Sequence, residues 1–358
     1  MKSYSERLNT LIPGGCHTYS RGDDQFPVNA PQILKRGKGS TVWDPDGNSF
    51  LDYGMGLRSV SIGYSDDRVN RAAIAEIENG NNLTRASLTE LKAAEKLLSI
   101  VEGADMVKFA KNGSNVTTAA VKLARAYTGK KYIARCSQHP FFSFDDWFIG
   151  NTVIKKGVPS EVQSLTLKFE YNNRESVSRM FRENKDIAAI ILEPASIESP
   201  CSNLNCPEDC KYLSCKDLES CSQDNFLKFL RKKCDENKCL LILDEMVTGF
   251  RWSLQGAQKM YGVVPDLSTF GKGMANGFSL AALVGKEEIM SIGGIKNSGA
   301  ERTFLLSTTH GAEMSPLGAF LETVKIYEEE NVIDHMWKFG STFKKEMNSL
   351  SMSLGLER

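Results

Sequence analysis

Cys239-Leu240-Leu241-Ile242-Leu243-Asp244 is an unbroken apolar run that ends on a carboxylate. A strand with one wet face alternates apolar and polar residues. A strand apolar throughout is buried on both faces, as in a parallel sheet covered by helices. Ile187-Ala188-Ala189-Ile190-Ile191-Leu192 is a second such run, closed by Glu193-Pro194. Working outward, Met106-Val107-Lys108-Phe109-Ala110 reads as a short strand, residues 116–127 as an Ala- and Leu-rich helix, and 131–135 as another strand. Residues 225–235 form an amphipathic helical pattern, and 280–285 a further strand. Strands alternating with helices predict an α/β fold, with a mostly parallel central sheet and helices on both faces. No internal repeat is present.

Toward the N-terminus the chain is turn-rich, with Pro13-Gly14-Gly15 as the clearest breaker. The stretch from Ser40-Thr41-Val42-Trp43 to Ser49-Phe50-Leu51-Asp52-Tyr53 reads as two short strands joined at Asp46-Gly47. Residues 87–101 carry Leu88, Leu91, Ala94, Leu97 and Leu98 at helical spacing, predicting that these face the core. The 358 residues allow one large domain and a smaller one. Forty-four basic residues balance forty-four acidic ones, which gives no reason to propose nucleic acid or an anionic membrane as partner. No apolar run is long enough to span a bilayer, and Met1-Lys2-Ser3-Tyr4-Ser5-Glu6-Arg7 lacks the apolar core of a secretory signal. A cytoplasmic protein is the expectation. Of nine cysteines, Cys201, Cys206, Cys210, Cys215 and Cys221 crowd into one polar segment, with Cys234 and Cys239 just beyond. In a cytosolic chain such crowding points to metal or redox chemistry before structural disulfides.

Ligands of an open parallel sheet bind at the carboxyl ends of its strands. Asp244 and Glu193 sit at two such ends. Gly113-Ser114 lies between the 106–110 strand and the following helix, where free amides and the helix dipole favour an anion. Lys272 sits in Ser268-Thr269-Phe270-Gly271-Lys272-Gly273-Met274-Ala275, with small residues leaving room around its amine. Taken singly, each feature has a plain reading: a solvated lysine, a turn or cap aspartate, an ordinary helix start. Together they match what pyridoxal 5'-phosphate needs. That cofactor requires a lysine for its imine, an anion cradle for its phosphate, and a carboxylate to keep its pyridine nitrogen protonated. A buried, charged Asp244 is tolerable when paired with such a cation.

Asp244-Glu245-Met246-Val247-Thr248-Gly249-Phe250-Arg251 resembles the Asp-Glu-x-x-Thr-Gly-Phe-Arg block of class III aminotransferases, and Pro265-Asp266-Leu267-Ser268-Thr269-Phe270-Gly271-Lys272 resembles that family's lysine block. Pro13-Gly14-Gly15, Asp44-Pro45-Asp46-Gly47-Asn48 and Lys122-Leu123-Ala124-Arg125 are similar to the glutamate-1-semialdehyde 2,1-aminomutase branch. The resemblance implies a fold-type I pyridoxal-phosphate transferase. It implies an N-terminal segment over 1–50, a large cofactor-binding domain over 51–311, and over 312–358 the start of a small C-terminal domain that stops early. Carried over by position, it makes Lys272 the aldimine lysine and proton shuttle, Asp244 the partner of the pyridine nitrogen, and Met246 a residue pressing on one ring face. It has Gly113 and Ser114 hold the phosphate. Thr308 reaches a neighbouring subunit's phosphate, which implies a homodimer, and Glu193 lies near the ring hydroxyl. Arg21 falls where the branch binds the substrate carboxylate, a surface arginine being the plain alternative.

Departures from the family pattern leave some assignments open. The family stacks an aromatic on the ring where this chain has Gln138; His139 or Phe141 stacks instead, or Phe141 and Phe142 are core. Residues 199–222 read as an insertion whose five cysteines lack paired CxxC knuckles. They bind zinc or an iron–sulfur cluster, or form a metal-free loop. Transfer from an amino donor to a separate carbonyl acceptor is the leading activity. Intramolecular aminomutase chemistry and a non-catalytic protein with a metal-binding insertion are the alternatives.

Overall fold

The computed structural model describes residues 2–196, 198–200, 224–296 and 301–356. Three short strands, β1 (Arg36–Lys38), β2 (Thr41–Trp43) and β3 (Ser49–Leu51), form a small antiparallel sheet. The β2–β3 hairpin turns where the Asp-Gly pair predicts, with Gly47 at φ 93° and Asp44 Oδ1 accepting from the Asn48 amide at 2.8 Å. The main sheet holds β4 (Met106–Ala110), β5 (Tyr132–Cys136), β6 (Thr166–Phe169), β7 (Ile187–Leu192), β8 (Leu240–Asp244), β9 (Leu267–Phe270) and β10 (Ala281–Gly285), in the order β4-β10-β9-β8-β7-β5-β6. All neighbours pair in parallel except β10, which runs antiparallel to both β9 and β4.

Every residue of β7, β8, β9 and β10 is buried. Alternation along the strands sorts them into two apolar layers. Ile191 and Ile242 meet Val116, Ala120 and Leu123 of the helix Gly113–Thr128 on one face. Ile190, Leu192, Leu241 and Leu243 meet Val177, Phe226 and Leu230 of the helices Arg174–Glu183 and Phe226–Glu236 on the other. Each fully buried Leu, Ile or Phe here stabilises the fold by roughly 1.5–3 kcal/mol.

Two sequence expectations change. The helix Leu88–Ile100 buries Thr89, Ala93, Leu97 and Ile100, whereas Leu88 and Leu91 are exposed. The seam is turned round from the leucine stripe, with Ala93 and Leu97 fully buried at its centre. The strands β6 and β9 were not anticipated; both are only four residues long, too short for periodicity to mark them. The helix Met314–Glu329 buries Leu317, Phe320, Val324 and Tyr327 in one cluster with Phe250, Phe270 and β10. Residue 312 therefore falls inside a shared core. The following helix, Val332–Ser353, has no buried residue. Among the described residues no helix is long and apolar enough to cross a membrane.

Candidate active site

Asp244 closes β8 opposite Thr269 of β9. Thr269 Oγ1 donates to Asp244 Oδ1 at 3.0 Å, and the Met246 amide donates to the same oxygen at 3.1 Å. The side chain is almost wholly buried, and burial pushes its carboxyl up to about 6 against the pull of the Lys272 charge and these two hydrogen bonds. Glu193, immediately after β7, is pushed up to about 7 by burial and by the Asp244 charge, while Lys272 and Arg58 act the other way. Lys272 follows β9. Burial lowers its amine's pKa, and Asp244 and Glu193 oppose that shift. An amine and two carboxyls from three adjacent strands thus meet at the carboxyl edge, where ligands of such sheets bind. Lys272 has φ 44°, a left-handed conformation that costs a non-glycine residue on the order of 1 kcal/mol.

Beside this trio the backbone is open. Asn112 caps the helix Gly113–Thr128 by accepting from the Asn115 amide at 3.0 Å. The first-turn amides of Gly113 and Ser114 have no acceptor within the helix and point out of its end. Ser114 Oγ accepts from the Phe144 amide at 3.1 Å, which leaves its own proton to donate. The Met246 side chain runs between two glycines. A Cβ on Gly113 would lie 3.0 Å from Met246 Sδ, and one on Gly271 would lie 2.6 Å from it. Glycine at both positions follows from the thioether's place rather than from backbone angles, since Gly271 is extended at φ 178°.

The lysine loop is gripped from three sides. Asn276 Oδ1 accepts the amides of Ser61 and Ile62 at 2.9 and 3.2 Å, and its Nδ2 donates to the Gly63 carbonyl at 3.0 Å. Tyr327 donates its hydroxyl to the Gly273 carbonyl at 3.1 Å. Arg251 Nη1 donates to the Val247 carbonyl at 3.0 Å, while Nη2 donates to the Arg58 carbonyl and to Ser61 Oγ. Glu245, beside Asp244 in sequence, serves the scaffold instead. Its carboxylate accepts from the Ala257 and Gln258 amides at 2.9 and 2.8 Å and from the Thr248 hydroxyl. Thr269, Arg251, Asn276 and Tyr327 escaped the sequence reading. Thr269 was discoverable as the strand residue level with Asp244, but nothing local marks the others.

His139 is buried, with its ring 5.3 Å from that of Tyr171 and 6.0 Å from that of Phe142. Its Nδ1 accepts from the Glu193 amide at 3.0 Å, so the proton sits on Nε2, a buried atom without a partner among the described residues. Burial, reinforced by Arg135, depresses its pKa to about 4, keeping the ring neutral. Gln138 turns its carbonyl down to accept from the Tyr171 amide and the Ser137 hydroxyl, while Phe141 is exposed and Phe142 is core. Arg21 lies on the exposed N-terminal segment, and its charge is felt at Tyr64. Thr308 is exposed and lines a recess of about 350 Å³ with Glu90, Ala94 and Phe109. Cys201, Cys206, Cys210, Cys215 and Cys221 lie outside the described residues. Cys234 and Cys239 are buried in the apolar core with free thiols, and the described residues hold no His/Cys/Asp/Glu group able to bind a metal.

A half-desolvated amine, a buried carboxylate that needs a cationic partner, and a helix start kept bare by glycine fit pyridoxal phosphate, and on this sheet they mark a pyridoxal-phosphate-dependent enzyme. The family profile described as Aminotransferase class-III matches residues 19–201 and 220–354, and the chain belongs to that family. The unmatched residues 202–219 fall inside the cysteine-rich segment read as an insertion. The chain is 34% identical to a 3-aminobutyryl-CoA aminotransferase of Cloacimonas acidaminovorans, covering 99% of this chain and 79% of that protein. It is 30% identical to a glutamate-1-semialdehyde 2,1-aminomutase of Methanothrix thermoacetophila, covering 99% and 78%. Among solved structures, the FumI protein of Sphingopyxis sp. MTA144, in its pyridoxal-phosphate internal aldimine form, superposes with a TM-score of 0.82 at 27% identity, covering 99% of this chain and 79% of that one.

Proposed function

We propose that this class III enzyme moves an amino group from an amino-acid donor to a separate carbonyl acceptor, with Lys272 as the covalent anchor and proton carrier and Asp244 as the partner of the cofactor's ring nitrogen. The carrying observation is the convergence of Lys272, Asp244 and Glu193 at the ends of three adjacent strands. When bound, the cofactor supplies an aldehyde that joins an amine and a ring that accepts electrons. Asp244, held by Thr269 and Met246, keeps a negative charge where the ring nitrogen needs one. The amides of Gly113 and Ser114, with the Ser114 hydroxyl, bind the phosphate. Met246 and Glu193 would line the place of the cofactor ring on the two sides of Asp244. Burial lowers the pKa of Lys272, which favours the free amine that takes up and returns a proton. His139 supports the Glu193 end of the site from beneath through its hydrogen bond.

The test is a borohydride-fixed adduct on the peptide carrying Lys272. Lys272→Ala should abolish it and lower turnover by more than about a thousandfold. An adduct that persists in the variant refutes the assignment. L-Glutamate alone should convert the cofactor spectrum in a first half-reaction. Intramolecular transfer is the second reading, favoured by the 30% identical aminomutase.

Thr308 is exposed in a surface recess, which supports its reaching a second subunit's phosphate in a homodimer; sedimentation velocity of the loaded protein tests the dimer. We further propose that a second lobe opens with the helix Val332–Ser353, after the helix that shares the main core. Zinc or an iron–sulfur cluster at the five cysteines rests on their crowding alone. Metal analysis well below one ion per chain would remove it.

A further inference from the structure

Between β3 and the first long helix the chain makes a left-handed turn. Met55, Gly56, Leu57 and Arg58 have φ of 48°, 57°, 58° and 66°. It is closed by the Arg58 amide donating to the Gly54 carbonyl at 2.9 Å and the Val60 amide donating to the Met55 carbonyl at 3.0 Å. Only one of the four residues is glycine, so surrounding contacts must hold the turn, and runs of this kind cluster where a side chain has to be aimed. The contacts come from the lysine loop and the block after Asp244. Arg251 donates to the Arg58 carbonyl, and the segment after the turn is laced to Asn276 through Ser61, Ile62 and Gly63. Packing is so close that a Cβ on Gly273, next to Lys272, would meet Ser61 Oγ at 2.7 Å and Arg251 Nη2 at 2.9 Å.

This clamp sets Arg58 at the mouth of the site. Its side chain is exposed and has no acidic partner among the described residues, unlike Arg68, Arg174, Arg182 and Arg231. Its positive charge is felt at Lys272 and at Glu193, so the exposed guanidinium lies within electrostatic reach of the trio.

We propose that Arg58 binds the carboxylate of the substrate, as a fork of N–H donors held by the left-handed turn at the entrance to the Lys272 site. The proposal rests on Lys272 being the cofactor lysine. A planar guanidinium grips a carboxylate through two parallel hydrogen bonds, and a guanidinium without an internal partner keeps those donors free. Arg21, whose charge is felt at Tyr64, is the residue the family resemblance suggests for this task, so the experiment compares the two.

Holoenzyme of wild type, Arg58→Met, Arg58→Lys and Arg21→Met would be titrated with succinate, and with succinamide as the uncharged control, following the cofactor's visible spectrum. Thermal unfolding and the borohydride-fixed Lys272 peptide would be recorded for each. Wild type should bind succinate saturably and ignore succinamide. Arg58→Met should weaken succinate at least about tenfold with unfolding and the Lys272 adduct unchanged, and Arg58→Lys should restore part of the loss. In the cofactor-free protein, Arg58→Met should raise the pKa of Lys272, because a neighbouring cation is gone. Undiminished succinate affinity in a loaded, folded Arg58→Met overturns the proposal, as does a loss confined to Arg21→Met, or loaded wild type that binds no succinate. A wild type lacking the Lys272 adduct instead overturns the assignment of Lys272 beneath it.

Discussion

Gly271→Ala is a sharp perturbation because its backbone permits alanine and its neighbour does not. Gly271 is extended, so no torsional strain arises. The added Cβ would lie 2.6 Å from Met246 Sδ and 3.3 Å from Met246 Cε. Comfortable carbon contacts begin near 3.5 Å, so the thioether must retreat by about an ångström. Its opposite flank is Gly113, where a Cβ would already stand 3.0 Å from the same sulfur, so Met246 has little space to move into. Overpacking of this kind costs about 1–3 kcal/mol. Met246→Ala should itself cost about 2 kcal/mol, the low end for a buried methionine. In Gly271→Ala/Met246→Ala the new methyl fills part of the space vacated, so the double variant should cost less than the sum by about 1 kcal/mol or more. Urea unfolding of the cofactor-free protein measures all three, and cofactor affinity should fall in Gly271→Ala and partly recover in the double variant. Additive effects, or a Gly271→Ala protein with wild-type stability and cofactor affinity, would refute this account of why glycine stands beside the lysine.

Two further outcomes follow from the same contacts. Asn276→Ala removes one acceptor and one donor that serve three backbone groups, and should cost about 1–3 kcal/mol while weakening the hold on the 61–63 segment, read as lower unfolding temperature and higher KM. Burial raises Glu245 and Glu193 to about 7 and Asp244 to about 6, above unfolded values near ~4. The folded state therefore binds these protons more tightly. Their contribution to the stability of the cofactor-free protein is fully present below pH ~4 and is lost as pH rises through about 6–7. Urea unfolding across that range should show the decline, and Glu245→Gln should flatten it.

Much of the framework was legible in the chain. Ile187–Leu192 and Leu240–Asp244 announce themselves because strands covered on both faces must be apolar at every position. The carboxylates ending them follow because a parallel sheet collects its strand ends at one edge, whereas Lys272 is marked by its glycine-flanked block, the strand before it being too short to show. The buried face of the helix Leu88–Ile100 was misjudged, since periodicity reports a stripe but not what it packs on. The antiparallel direction of β10 was likewise invisible, because direction depends on how the chain returns and not on composition.

By itself the sequence determined that the runs ending at Glu193 and Asp244 are central strands, which lysine lies in the glycine-flanked block, and the family the chain belongs to, because these are properties of short contiguous runs. Only the tertiary structure decided that Met246 runs between Gly113 and Gly271, that Glu245 serves the scaffold while Asp244 serves the site, and that Arg251 and Asn276 clamp a left-handed turn bearing Arg58 against the lysine loop. The last are contacts between segments about 200 residues apart, and all are set by packing and hydrogen-bond closure that no local pattern encodes.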